Sequence, residues 1–181
     1  MSPASPWRLS WRADPALAAL ADRHYSRRRS QVGEPQFVPP GRCLCLRTAD
    51  GLAGWVSSWQ VAEYARHAWA GAWVNSLFRR EAGPLASDMI RAAVAHTRHY
   101  WPAVPPLGMI TMVDTAAVRH KRDPGRCYRR AGFAPVGYTA SGQLVLQLVP
   151  EAMPDPEPVP GAPLPLFDTA ELLRMTTDGR G

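Results

Sequence analysis

At 181 residues, 46% of them apolar and 20% charged, the chain is long enough for one domain that buries its own core without disulfide or metal staples. Its formal charge of +6 rests almost wholly on arginine, Lys121 being the single lysine, so the composition suits a polyanionic partner; codon usage in a GC-rich genome produces the same bias, together with excess Ala, Pro and Gly. No stretch approaches the length of a membrane span and MSPASPWRLSW lacks an apolar signal core, which predicts a cytoplasmic protein with no membrane partner.

Residues 7–11 (WRLSW) alternate as a short strand does. Asp14-Pro15 then supplies a cap with proline at the first helical position, and 16–27 reads as a helix with Leu17, Leu20, Ala21 and Tyr25 on one side. Its end, HYSRRRS, is either a solvated helix terminus or a phosphate-contacting patch carrying Arg27, Arg28 and Arg29. Proline and glycine make 31–41 a loop long enough to cover a site. A β-hairpin follows, 43–48 and 52–60 about an Asp50-Gly51 turn, and Trp55, Trp59, Tyr64 and Trp69 cluster along it and beyond as packing or base-stacking rings. Cys43 and Cys45 share a strand face and are poorly placed to bridge. Neither these two nor the distant Cys127 pairs with a histidine at ligand spacing, so they read as buried free thiols and no metal is expected.

The centre of the chain is a buried strand at 72–78, a basic turn with one glycine at 79–85, and an amphipathic helix. Met89, Ile90, Ala93, Val94 and Thr97, followed by Trp101, recur on one face of that helix, leaving Arg91, His96 and Arg98 for the other. The first N–H groups of such a helix point back at the turn, which makes it a natural phosphate seat or an ordinary helix entrance. Neither GxxxxGK[ST] nor GxGxxG is present. After a proline-rich connection comes an apolar strand at 109–113 ending at Asp114, an acid placed either to cap the next turn or to face a central cleft. Arg119, His120, Lys121, Arg122 and Arg126 make 115–126 a second basic surface. A short glycine-closed helix (GRCYRRAGF, 125–133) and a second hairpin (134–149, with Leu144, Leu146 and Leu148 on one face) complete a domain at 1–149. Residues 150–165 are too proline-rich and acidic for core and read as a linker; 166–181 is a tail with a short helical segment.

The turn Arg79-Arg80-Glu81-Ala82-Gly83-Pro84-Leu85-Ala86-Ser87 resembles, in degenerate form, the (Arg/Gln)-x-x-Gly-x-(Gly/Ala) turn of GCN5-related N-acetyltransferases. Arg80 and Gly83 match, and Pro84-Leu85 departs from the pattern. GRCYRRAGF resembles the tyrosine-bearing segment near the end of that family, and the order of elements over about 7–149 is similar. The resemblance implies an α/β (α+β) fold whose mixed central sheet of six to seven strands splays at a cleft and is flanked by helices. It also implies an acetyl-CoA or another acyl-CoA held by Asn75, Ser76, Leu77, Arg79, Arg80, Gly83, Leu85, Ala86 and Ser87. Tyr128 is the implied proton donor to the departing thiolate, with Asp114 or His24 accepting the amine proton through water.

His24-Tyr25, Phe78-Arg79-Arg80-Glu81, Val113-Asp114 and Pro124-Gly125-Arg126-Cys127-Tyr128 are further similar to Mom-like and other acetyltransferases of phage DNA hypermodification. That likeness implies a duplex-DNA partner bearing a modified base, in a bacterial or phage-infected cell, with Arg27, Arg28, Arg29, Arg119, Lys121 and Arg122 on phosphates. The alternatives are an acetyltransferase of a small amine or protein N-terminus, and a nucleic-acid-binding protein that keeps the fold without catalysis.

Overall fold

The computed structural model describes residues 4–60, 67–120 and 122–162. These form a seven-stranded mixed sheet in the order β1-β2-β3-β4-β5-β7-β6, an α+β architecture. The strands are β1 (Trp7–Leu9), β2 (Arg42–Thr48), β3 (Ala53–Trp59), β4 (Trp73–Arg80), β5 (Met109–Val113), β6 (Ala134–Tyr138) and β7 (Leu144–Leu148); the helices are α1 (Pro15–Asp22), α2 (Ala86–Tyr100) and α3 (Arg126–Arg130). Neighbouring strands are antiparallel except β4 and β5, which α2 connects as a parallel pair.

Period-two alternation sends consecutive residues of β2 and β3 to opposite faces. Leu44, Leu46 and Trp55 pack into the main core with α2, whereas Cys45 and Val56 pack with Leu17 and Leu20 of α1. Burying Met89, Ile90 and Val94 completely stabilises the domain by roughly 1.5–3 kcal/mol for each side chain. α1 lies so close that a Cβ on Gly54 would stand 2.4 Å from Leu17 Cδ2, which is why this central strand carries a glycine.

β4 changes face part-way along. Val56 pairs with Leu77 and Ser57 with Asn75, leaving Ser76 as the extra residue of a bulge. Residues 73 and 77 would share a face in a regular strand, yet Trp73 packs in the main core and Leu77 against α1. The same offset puts Phe78 on the α2 side, 6.2 Å from the Tyr128 ring.

Three expectations need correction. The first helix ends at Asp22 rather than at 27, because the Asp22 carboxylate accepts from the Gly33 amide at 3.0 Å and pairs with Arg27, turning the chain back on itself. His96 belongs to the buried side of α2, with no exposed surface. The proline-rich stretch is what covers it: Met153 and Val159 join the main core, the Glu157 carbonyl accepts from His96 Nδ1 at 2.7 Å, and Arg98 donates to the Pro154 carbonyl at 2.5 Å. A polyproline strap has no partners of its own for its carbonyls, so α2 supplies them. Tyr64, Lys121 and the expected tail at 166–181 lie outside the described residues.

Candidate active site

β4 and β5 pair at only three positions, Trp73 with Met109, Val74 with Ile110 and Asn75 with Thr111. Beyond them β4 follows β3 to Arg80 while Met112 and Val113 follow β7, so the sheet opens between its two parallel strands. A hollow of about 200 Å³ fills the opening, lined by Asn75, Ser76, Leu77, Thr111, Tyr128 and His24 among others.

Asn75 is the fixed point of this opening. It is 5% exposed; its Nδ2 donates to the Val56 carbonyl at 3.1 Å and the Leu77 carbonyl at 2.8 Å, pinning the bulge, and its Oδ1 accepts from the Tyr128 hydroxyl at 2.6 Å. Thr111 Oγ1 adds a longer bond to the same Oδ1 at 3.4 Å. The Asn75 side chain is thus committed to the protein, and Ser76, whose hydroxyl pairs with that of Ser58, and Leu77 line the hollow beside it. Desolvation, with neighbouring Cys127 and Tyr25 adding to it, raises the Tyr128 pKa well above 10 against the opposing hydrogen bond from Thr111. The phenol therefore keeps its proton at neutral pH. Tyr25 leaves 39% of itself exposed but tucks its hydroxyl against the Asp114 backbone, and burial raises its pKa too.

A second groove of about 570 Å³ continues from the first, sharing His24, Tyr25, Phe78 and Tyr128 with it, and runs to the start of α2. Leu85 occupies the cap position of α2 and offers no side-chain bond to the helix. The groove there is lined by Ala86 and Ser87 and by Arg79, Arg80, Arg126 and Arg130. Gly83 holds φ at 107°, the left-handed conformation that lets the turn reach the helix. Two arginines of the turn are spoken for. Arg80 donates to the Pro84 carbonyl at 2.6 Å and the Gly83 carbonyl at 2.7 Å, and Arg79 pairs with Glu81, which Arg23 also holds at 2.7 Å. Bonds from Arg23 and then Arg79 bring the Glu81 carboxyl down to about 2. Among the described residues Arg80 meets carbonyls and no acid, and Arg126 and Arg130 have no acidic partner either.

Comparison with protein-family models, curated proteins and solved structures finds no match to this chain.

The remaining expected residues divide sharply. His24 lines both cavities, stacked on Tyr25 at 4.3 Å, and its Nδ1 lies 3.3 Å from the Ser26 amide. An amide N–H can only donate, so Nδ1 accepts and the neutral ring carries its proton on Nε2. Asp114 does not line the cleft: its carboxylate caps the following turn, accepting from the Ala117 amide at 3.0 Å. Arg27 is no surface cation, its side chain being 7% exposed and bonded to Asp22 and to the carbonyls of Glu34 and Gln36. Arg28, Arg29, Arg119 and Arg122 are exposed. Arg126, already part of the basic surface expected at 115–126, and Arg130 carry that surface into the groove beside α2. Their spacing of four on a helix puts both on one side, a signal that was available.

Proposed function

We propose that the protein is an acyl-CoA-dependent N-acyltransferase of the GCN5-related fold, acting on an amine borne by a DNA base. One observation carries the reading: a single groove joins an uncapped, arginine-ringed helix start to a buried phenol at the parting of two parallel strands. The first N–H groups of α2, with Arg80, Arg126 and Arg130, fit a diphosphate. Leu85 departs from the usual small residue but is 64% exposed, so it leaves the helix start open.

When bound, an acyl-CoA supplies the thioester whose C–S bond breaks as the amine's N–C bond forms. The bulged backbone at Ser76 and Leu77 supplies dipoles at the hollow for a developing oxyanion. Tyr128 is protonated and positioned to hydrogen-bond the sulfur as charge develops there, once its proton turns from Asn75. The amine loses one proton and the thiolate gains one, so the exchange is neutral overall. Asp114 takes no part. His24 also lines the hollow and would take the amine proton through water on Nδ1, releasing the Ser26 amide as it does so.

The net charge of +6 and the exposed Arg28, Arg29, Arg119 and Arg122 favour a polyanionic acceptor. The test is incubation with labelled acetyl-CoA and either unmodified duplex, duplex bearing aminomethyl pyrimidines, or the free aminomethyl nucleoside, read by nucleoside mass spectrometry. Label on the aminated duplex is expected. Label on the nucleoside alone moves the assignment to a small-amine acetyltransferase; label on none, without acetyl-CoA-dependent thermal protection, overturns it.

A further inference from the structure

On the α1 side of the sheet lies a third hollow, of about 480 Å³, between α1 and the loop at 31–40. It meets the opening between β4 and β5, because Ser26, Ser76 and Leu77 line both. Its outer wall is built rather than loose. Arg27 reaches through the loop to the carbonyls of Glu34 and Gln36, both at 2.8 Å, while Asp22 holds Arg27 and the Gly33 amide, each at 3.0 Å.

The lining chemistry is opposite to that of the arginine-ringed groove. Among the described residues that line it, Glu34 is the one acid, and the one cation, Arg27, is already matched by Asp22. Two amides and a ring line the same hollow. Gln31 accepts from the Arg28 amide through Oε1 at 3.2 Å, which leaves its Nε2 to donate; Gln36 lines the hollow; and half-buried Phe37 offers a flat apolar face. Next to Gln31 in the chain, Arg28 and Arg29 are exposed with no acidic partner among the described residues.

We infer that this hollow binds the acceptor, an amine-bearing pyrimidine turned out of its helix, with Glu34 taking the amine, Gln31 and Gln36 reading the base edge and Phe37 stacking on the ring. The assignment rests on the acyltransferase reading for what happens next but not for the binding itself. Side-chain amides match the mixed donors and acceptors of a base edge, and aromatic faces stack on any base. The size matches a single small ligand, and a base stacked within a duplex cannot enter such a hollow, so the base is taken extrahelical. Arg28 and Arg29 then hold the flanking phosphates.

The experiment measures fluorescence anisotropy of one oligonucleotide sequence in three forms: duplex with a single 5-aminomethyl pyrimidine, the same strand unpaired, and unmodified duplex. The wild-type chain binds the aminated duplex about tenfold tighter than the unmodified one, the size expected of a charge-assisted hydrogen bond, and the aminated single strand tighter still because no base pair is broken. E34Q erases the preference for the amine. Glu34 holds Arg27 through its backbone carbonyl, so this variant retains the wall. R28A/R29A weakens all three forms by a similar factor and flattens the salt dependence. A preference that survives E34Q, or none in the wild type, overturns the assignment. Acetyl-CoA-dependent thermal protection is read separately: its absence alongside an intact amine preference sinks the acyltransferase reading and leaves the hollow standing.

Discussion

The helices on the two faces of the sheet begin in opposite ways. α1 is closed: Asp14, 2% exposed, accepts from the Ala16 amide at 2.9 Å, from Ser10 at 2.6 Å and from Arg47 at 2.7 Å, and Pro15 removes a further orphan donor. Burial alone would push the Asp14 carboxyl up, but the bonds from Ser10 and the Ala16 amide and the nearby Arg47 outweigh it and hold it below its usual value. α2 is open: an exposed leucine stands at its cap, the acid of its first turn, Asp88, is taken by Arg91, and Arg80, Arg126 and Arg130, without an acidic partner among the described residues, line the groove at its positive end. Cations at a helix start cost about 0.3–1 kcal/mol each, and a missing cap about 1 kcal/mol more. This contrast, one helix start closed so thoroughly and the other left frustrated, is what the proposed diphosphate seat at α2 rests on.

Breaking the closed end is expected to have the largest effect. Asp14→Ala removes a cap and strands Arg47, costing about 3 kcal/mol in urea unfolding while acetyl-CoA still protects the folded protein. The Asp14 contribution is present above the unfolded carboxyl value of about 3.9 and is lost as pH falls through the lower folded one. If ligand protection vanishes along with stability, the two helix starts are not independent. Next in size is the far end of the groove. Tyr128→Phe lowers kcat about a hundredfold, roughly 2.7 kcal/mol, with KM for acetyl-CoA little changed. Unaltered turnover would remove the phenol as proton donor.

The contrast between the two helix starts was half visible in the sequence. Asp14-Pro15 announces a cap, and the spacing of Met89, Ile90, Ala93 and Val94 gives the buried face of α2, because both signals are local. The bulge at Ser76 was not legible, since it is a register relation between two strands separated in the chain. Arg27 is indistinguishable by neighbourhood from Arg28 and Arg29; what buries it is a loop of nine residues' reach that turns back onto Asp22. Asp114 was read with both of its possible roles, and the Ala117 amide decides between them. Composition misjudged 150–162 because two apolar side chains, Met153 and Val159, are enough to seat a strap when α2 offers hydrogen bonds to its carbonyls.

Closing the open start sharpens the comparison with a smaller effect of opposite sign. Leu85→Asp supplies the missing cap and complements both the dipole and the arginines, raising stability by about 1 kcal/mol. The same carboxylate occupies the anion seat, so acetyl-CoA-dependent thermal protection falls as the unliganded melting temperature rises. A stabilised variant with undiminished protection would show that the diphosphate does not sit at α2.

The smallest effect tests whether the other end of α2 is tied as firmly as its start is open. A carbonyl only accepts, so the His96 Nδ1 that meets the Glu157 carbonyl at 2.7 Å carries the proton, and Nε2 accepts from the Ser5 hydroxyl at 2.8 Å. Desolvation lowers the His96 pKa despite the opposing bond to Glu157, with His99 adding to the depression. The unfolded chain then binds the proton more readily than the folded one, so stability is full above about pH 6.5 and declines as pH falls from there toward the lower folded value. Urea midpoints of the wild type should therefore drop below about pH 6.5, and those of His96→Gln should be lower but flatter across that range. The drop should come with faster proteolysis after 150, where the protonated ring forces Ser5 to turn and loosens the strap, and without change in acetyl-CoA affinity. A loss of affinity in step with protonation would mean that strain at the strapped end reaches the open start, and that α2 is held as one rigid rod between them.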